Sequence, residues 1–148
     1  MRFEFSAGGI VYKKDGKRTF ILVAQHSAHR GWVFPKGLIG DHLKGEKKEN
    51  TAIREVKEET GIDAKIVKSL EPVTYWFNFK GEKIKKTVYY FLMEYLGGNT
   101  KDRDFEMEKV EWLPIDDVLE RLTYSSDKKV WQEAKKMLQS KSKIPSGG

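Results

Sequence analysis

Between residues 46 and 60 the sequence asks for a helix that would resist forming alone. Ala52, Ile53, Val56 and Thr60 recur at spacings of three and four and give one apolar stripe. Gly61 follows, the residue type that ends helices in the left-handed conformation. Glu55, Glu58 and Glu59 stand three and four apart, so they share another face of the same helix. Like charges at that spacing repel and destabilise an isolated helix. The apolar stripe must therefore anchor the helix to a core, and something must offset the carboxylates. A hard divalent cation such as Mg²⁺ does so, taking carboxylates together with the phosphate oxygens of a ligand. Arg54 is spaced to pair with Glu58 at four residues, or with Glu46 across the first turns, and so to orient a carboxylate. The competing reading is a solvated helix whose Lys47, Lys48 and Lys57 neutralise the glutamates.

The chain around this helix reads as a single domain over residues 1–139, with a polar tail at 140–148 expected to be disordered. Strands are expected at Ser6–Tyr12, Thr19–Gln25 and Trp32–Phe34, with a turn on Asp15-Gly16 between the first two. Val73–Phe79 and Lys85–Tyr95 are aromatic and β-branched and read as strands joined near Lys80-Gly81. Val110–Leu113 is a further short strand, and Asp116–Arg121 and Asp127–Leu138 are closing helices. The absence of cysteine excludes a disulfide frame and thiolate chemistry. No apolar run is long enough for a membrane span, and Met1–Phe5 lacks a signal-peptide core. These features give the expectation of a cytoplasmic protein. The net charge of +6 suits an anionic ligand such as a polyphosphate or nucleic acid, or else marks a solvated lysine-rich surface.

Gly40, Glu46, Arg54, Glu55, Val56, Glu58, Glu59, Gly61 and Ile62 together resemble the signature of the Nudix hydrolase family. That signature specifies nine positions over 23 residues, and all nine are met here. In this family the first glycine commonly follows a Pro-Lys turn. Here Pro35-Lys36-Gly37 stands three residues ahead of Gly40. Either Gly40 is the structural glycine, as the strict spacing has it, or Gly37 is, with a loop three residues longer. The Gly8-Gly9 opening, the Tyr75-Trp76-Phe77 segment, Lys86–Phe91, Glu106 ahead of Val110–Pro114, and Leu122-Thr123-Tyr124 resemble the diadenosine tetraphosphate hydrolase branch.

The resemblance implies an α/β fold, an α/β/α sandwich around a mixed sheet. It implies a metal-dependent hydrolase that cuts a diphosphate linkage in a nucleoside polyphosphate, with diadenosine tetraphosphate as the leading substrate. The implied metal is Mg²⁺ or Mn²⁺, held by Glu55, Glu58, Glu59 and Glu106 with help from the backbone of Gly37. Glu58 or Glu106 would take the proton from water, with Arg54 assisting. Lys36 and Lys86 would hold phosphate, and Tyr75 and Tyr124 would stack on a base. The partner is thus a small nucleotide, with nucleic acid entering only as an RNA 5′ end. Removal of diphosphate from such an end is the second enzymatic reading, and a nucleotide sensor without catalysis is the third. His26, His29 and His42 show no ligand spacing and read as surface or loop residues.

Overall fold

The computed structural model describes residues 1–40 and 44–140. Its strands are β1 (Arg2–Asp15), β2 (Arg18–His26), β3 (Trp32–Val33), β4 (Lys36–Leu38), β5 (Ile62–Ser69), β6 (Val73–Phe79), β7 (Glu82–Gly98) and β8 (Met107–Pro114). Its helices are α1 (Lys48–Thr60), α2 (Val118–Arg121) and α3 (Ser125–Gln139). All eight strands join one sheet, ordered β3-β2-β1-β7-β5, with β4 on β1, β6 on β7 and β8 on β2. The sheet is mixed: β1 runs parallel to β7, while its other partners, β2 and β4, are antiparallel.

Alternation along β1 explains why both faces are covered. Ala7 and Val11 point to one side and pack with Ala52 and Val56 of α1 and with Phe91 and Met93 of β7. Ile10 and Tyr12 point to the other side and pack with Tyr90, Leu92 and the wholly buried Trp131 of α3. A long strand buried on both faces needs a helix on each, and this gives the helix–sheet–helix layering anticipated from the sequence.

Several elements differ from the sequence reading in extent. β1 continues to Asp15, which shrinks the expected turn to Gly16-Lys17. β7 spans 17 residues because its second edge serves two partners in turn, β6 near its start and β5 near its end. Periodicity places no strand at β5, yet Ile62 and Ala64 are buried and Asp63 and Lys65 exposed, the alternation of a half-covered strand. The first closing helix opens as a 3₁₀ turn at Ile115–Asp117 and keeps only four α residues. α1 starts at Lys48 rather than Glu46, whose carboxylate accepts from the Thr51 hydroxyl at 2.7 Å and so sits ahead of the helix. Ile53 is 38% exposed, so the buried stripe of α1 is Ala52, Val56 and Thr60 without it. The expected disordered tail, apart from Ser140, and His42 lie outside the described residues.

The fold delivers one further result, the placement of β4. Lys36–Leu38 pairs antiparallel with Gly8–Ser6, and Gly9 donates its N–H to Pro35 O at 3.2 Å. A side chain at Gly8 would run into Pro35 O and Lys36, so only glycine allows this approach. The Pro-Lys-Gly turn is thereby pinned against the C-terminal half of α1.

Candidate active site

α1 presents its glutamates where that turn arrives. Glu55 and Glu59 are 6% and 5% exposed, and the Lys36 N–H donates to Glu59 Oε1 at 3.1 Å. Glu58 lies nearer the solvent on the same face. The β7–β8 loop supplies Asp104 and Glu106 from the other side, tied down where Asp104 N–H donates to Glu58 O at 2.8 Å. Lys36, Gly37, Glu55, Glu58, Glu59, Asp104 and Glu106 line one open cleft of about 450 Å³. Five carboxylates share that wall: the four expected from the family resemblance, Glu55, Glu58, Glu59 and Glu106, and Asp104 beside them.

Arg54 organises the helix side of the cleft. Its guanidinium donates to Glu46 at 2.9 and 3.0 Å, to Glu55 at 3.1 Å and to Glu58 at 3.2 Å. Both pairings expected from the sequence therefore form at once. These bonds raise the Arg54 pKa above its ordinary value, Glu46 contributing most, with burial opposing. Lys57 pairs with Asp63 at 3.2 Å and Lys48 lies over the Tyr89 ring, so neither lysine is spent on the helix carboxylates as the solvated-helix reading requires.

Glu59 carries the electrostatic strain of the cluster. Burial pushes its pKa up to about 9; Glu55 and Glu106 add to the rise, while the Lys36 ammonium and N–H oppose it. A buried carboxylate among others is costly unless a cation joins it. The donor set is all oxygen, as a hard divalent cation prefers, so the residues present fit Mg²⁺ or Mn²⁺. Among the described residues no three acidic or histidine side chains already stand in coordination geometry. Arg54 holds Glu55 and Glu58 side by side on the wall of the cleft.

The two glycines are separated by their surroundings. A Cβ at Gly37 would collide with the Glu55 carboxylate, so Gly37 is the backbone on which the acidic face rests. Gly40 has φ +77° and follows β4 in a turn.

A second cleft of about 540 Å³ adjoins the first and shares Lys36 with it. Tyr75 and Phe77 of β6 form one wall, and His29 and Tyr124 contribute to the rest. The start of α3 closes it with Ser125, Ser126 and the buried Asp127. Lys86 reaches in from β7, 3.9 Å from Glu4, and its pKa is lowered by burial and by Lys36, with Glu4 and Glu59 opposing. Tyr75 is pushed up to about 12, first by burial and then by Asp127 and Glu4. Tyr124 is 40% exposed, and its hydroxyl hydrogen-bonds His29 Nδ1 at 2.9 Å. His29 also stacks on His26 at 4.3 Å between centroids, so these two surface histidines form a pair that their sequence spacing does not announce.

Of the expected site residues, Lys36, Gly37, Glu55, Glu58, Glu59, Glu106, Tyr75, Lys86 and Tyr124 line one or other of the two joined clefts, while Arg54 stands behind the carboxylates it pairs with. Asp104, His29, Phe77 and Asp127 are the additions. Asp127 has a faint signal in sequence, as an acidic residue in the first turn of a helix. Its Oδ1 accepts from Tyr90 OH at 3.2 Å, and burial raises its pKa against Lys36, Phe34 N–H and Tyr90 OH. The other three have no local pattern to reveal them.

Comparison with known proteins agrees with this geometry. The NUDIX domain model matches residues 2–139. The putative mutator protein MutT4 of Mycobacterium tuberculosis is 39% identical over 142 residues; the match covers 91% of this chain and 56% of that protein. The chain therefore spans little more than half the length of that relative. The asymmetrical bis(5′-nucleosyl)-tetraphosphatase of Rattus norvegicus is 32% identical, with 80% of each chain covered. A crystal structure of a C. elegans Ap4A hydrolase binary complex superposes with a TM-score of 0.72 at 25% identity, covering 91% of this chain and 97% of that one. With a family model spanning nearly its whole length and the carboxylate helix at its centre, the chain belongs to the Nudix hydrolase family.

Proposed function

We propose that the chain hydrolyses a diphosphate linkage in a nucleoside polyphosphate, with diadenosine tetraphosphate as the leading substrate. The observation that carries this reading is the junction of two clefts at Lys36: carboxylates line one, and aromatic rings with Lys86 line the other. A cleft of about 540 Å³ is of the size that holds a small ligand with a few convergent polar groups. The tetraphosphatase relative is known by name to act on such a dinucleotide, which supports the choice.

Tyr75 and Tyr124 stack on a base, and Lys36 and Lys86 take the phosphate oxygens as point charges. The polyphosphate then runs past Lys36 to the glutamates. Glu55, Glu58, Glu59 and Glu106 would hold Mg²⁺ or Mn²⁺, with Gly37 as backbone support. Bound there, the ion would neutralise phosphoryl charge and make water easier to deprotonate. A water oxygen attacks one phosphorus in line, the bridging P–O bond breaks, and the leaving phosphate departs with that electron pair. Glu106 takes the water proton. It is preferred to Glu58 because it enters the cleft from the loop facing α1, whereas Glu58 is engaged by Arg54 at 3.2 Å. Arg54 meanwhile fixes the direction of the helix carboxylates.

The test is a substrate panel with Mg²⁺ and with Mn²⁺, read by product chromatography. It comprises diadenosine tetraphosphate, nucleoside triphosphates and a triphosphorylated RNA oligomer. Multiple turnover, fastest on the dinucleotide and abolished by chelator, is expected. Preference for the RNA by catalytic efficiency would replace the substrate, and tight binding without turnover would make the chain a sensor.

A further inference from the structure

On the sheet face that α1 covers, opposite the aromatic cleft, the described residues leave one end open. Along β1, Ala7 and Val11 are roofed by α1, but Phe3 and Phe5 on the same face lie beyond the helix, 54% and 47% exposed. The registers build a platform around them. Trp76 of β6 stands opposite Lys85 of β7, and Lys85 stands beside Phe3. In the next row Thr74 faces Thr87, which stands beside Phe5. Trp76 is 48% exposed, with Lys83 Nζ 4.7 Å and Lys85 Nζ 5.5 Å from its ring centre. Neighbouring residues Tyr75, Lys86 and Glu4 point the opposite way, to the substrate side, by strand alternation.

Three exposed rings on β6 and β1, the two strands that flank β7, with the β7 lysines between them, are more than a soluble surface needs. We propose that this face binds single-stranded nucleic acid, with bases stacked on Trp76, Phe3 and Phe5 and with Lys83 and Lys85 on the backbone phosphates. Sheet-borne aromatics accept bases whose π faces are open, and each ring here can take its own base. The two ammonium groups over Trp76 swing to the flanking phosphates as a base takes their place. Charge argues for a polyanion. A second copy docking by two-fold symmetry would bring the same lysine-bearing patch against itself, on a chain of net charge +6. A flat bilayer is excluded by shape, because α1 rises on the same face as a step of about 10 Å that a flexible strand can lie against.

The experiment uses the whole chain and fluorescein-labelled oligothymidine and oligouridine of about 12 nucleotides without a 5′ phosphate, within the range such surfaces cover. Anisotropy is read in chelator with saturating diadenosine tetraphosphate, so that the substrate cleft is occupied. Binding is expected to persist there, and Trp76→Ala to weaken it roughly 5- to 150-fold. Trp76→Phe, which keeps a ring, is expected to retain most of it. Replacing Lys83 and Lys85 together by glutamine should reduce the slope of log affinity against log salt by about 1.4, at roughly 0.7 per single-strand phosphate contact. Nucleotide hydrolysis should be unchanged in all these variants. Undiminished oligonucleotide binding by Trp76→Ala, or binding lost to saturating dinucleotide, overturns the proposal. Capture by anionic vesicles in place of oligonucleotides, or a dimer that Trp76→Ala dissociates, overturns it equally.

Discussion

Replacing Glu59 by glutamine should make the metal-free protein more stable at neutral pH while destroying its activity. Burial pushes the Glu59 pKa from 4.5 up to about 9, so below about pH 9 the folded protein holds a proton there that the unfolded chain has released above pH 4.5. The native state therefore binds more protons across this window, and stability falls as pH rises through it. Each unit is worth about 1.4 kcal/mol, so by pH 7 the loss reaches up to about 3 kcal/mol. Glutamine keeps the shape and an oxygen to accept the Lys36 N–H, now at 3.1 Å, and removes the titration. Urea unfolding in chelator, followed by far-UV circular dichroism at pH 5 and pH 8, reads this directly. Wild type should lose stability between the two values, and Glu59→Gln should lose clearly less and be the more stable at pH 8. Hydrolysis by the variant should fall at least about 100-fold, the scale of losing one key electrostatic group. A variant less stable than wild type at pH 8, with the same pH slope, would refute the burial argument. Near-normal turnover would refute the assignment of Glu59 to the metal set.

Gly37→Val should damage activity more than Gly40→Val, because a side chain at 37 runs into the Glu55 carboxylate; steady-state rates with both variants folded by circular dichroism check the ranking, and the reverse order would make Gly40 the structural glycine. Glu106→Gln should lower kcat more than it raises the metal concentration needed for half-maximal rate, whereas Glu58→Gln should do the reverse; exchanged phenotypes would move the proton to Glu58. Tyr124→Ala should raise KM for diadenosine tetraphosphate about 5- to 150-fold with metal dependence intact, as loss of one stacked base predicts, and unchanged dinucleotide kinetics would remove Tyr124 from the base site.

The sequence alone determined what lies within one helix and its flanks. Spacings of three and four fix which glutamates share a face, and Gly61 fixes where the helix stops, because both are consequences of 3.6 residues per turn and of glycine's tolerance of φ +78°. The opposite apolar face likewise announces a core on the other side, although Ile53 shows that the stripe is narrower than its hydrophobic residues suggest. The existence of β1, β6 and β7 was legible from strand-favouring composition, which is a local property too. Tertiary structure decided what has no period. Lys36 and Gly37 meet Glu55 and Glu59 only because β4 pairs with β1 beneath α1, a register set by the absence of a Cβ at Gly8. Asp104 and Glu106 join the same cleft from a far loop that is tied to Glu58 O through the Asp104 N–H and to Ser27 through Glu106 O. His29, Tyr75 and the start of α3, with Tyr124 and Asp127, come together from three separate segments. Spacing along a chain reports neighbours within an element. Neighbours between elements depend on strand register and helix packing, which the whole core sets at once.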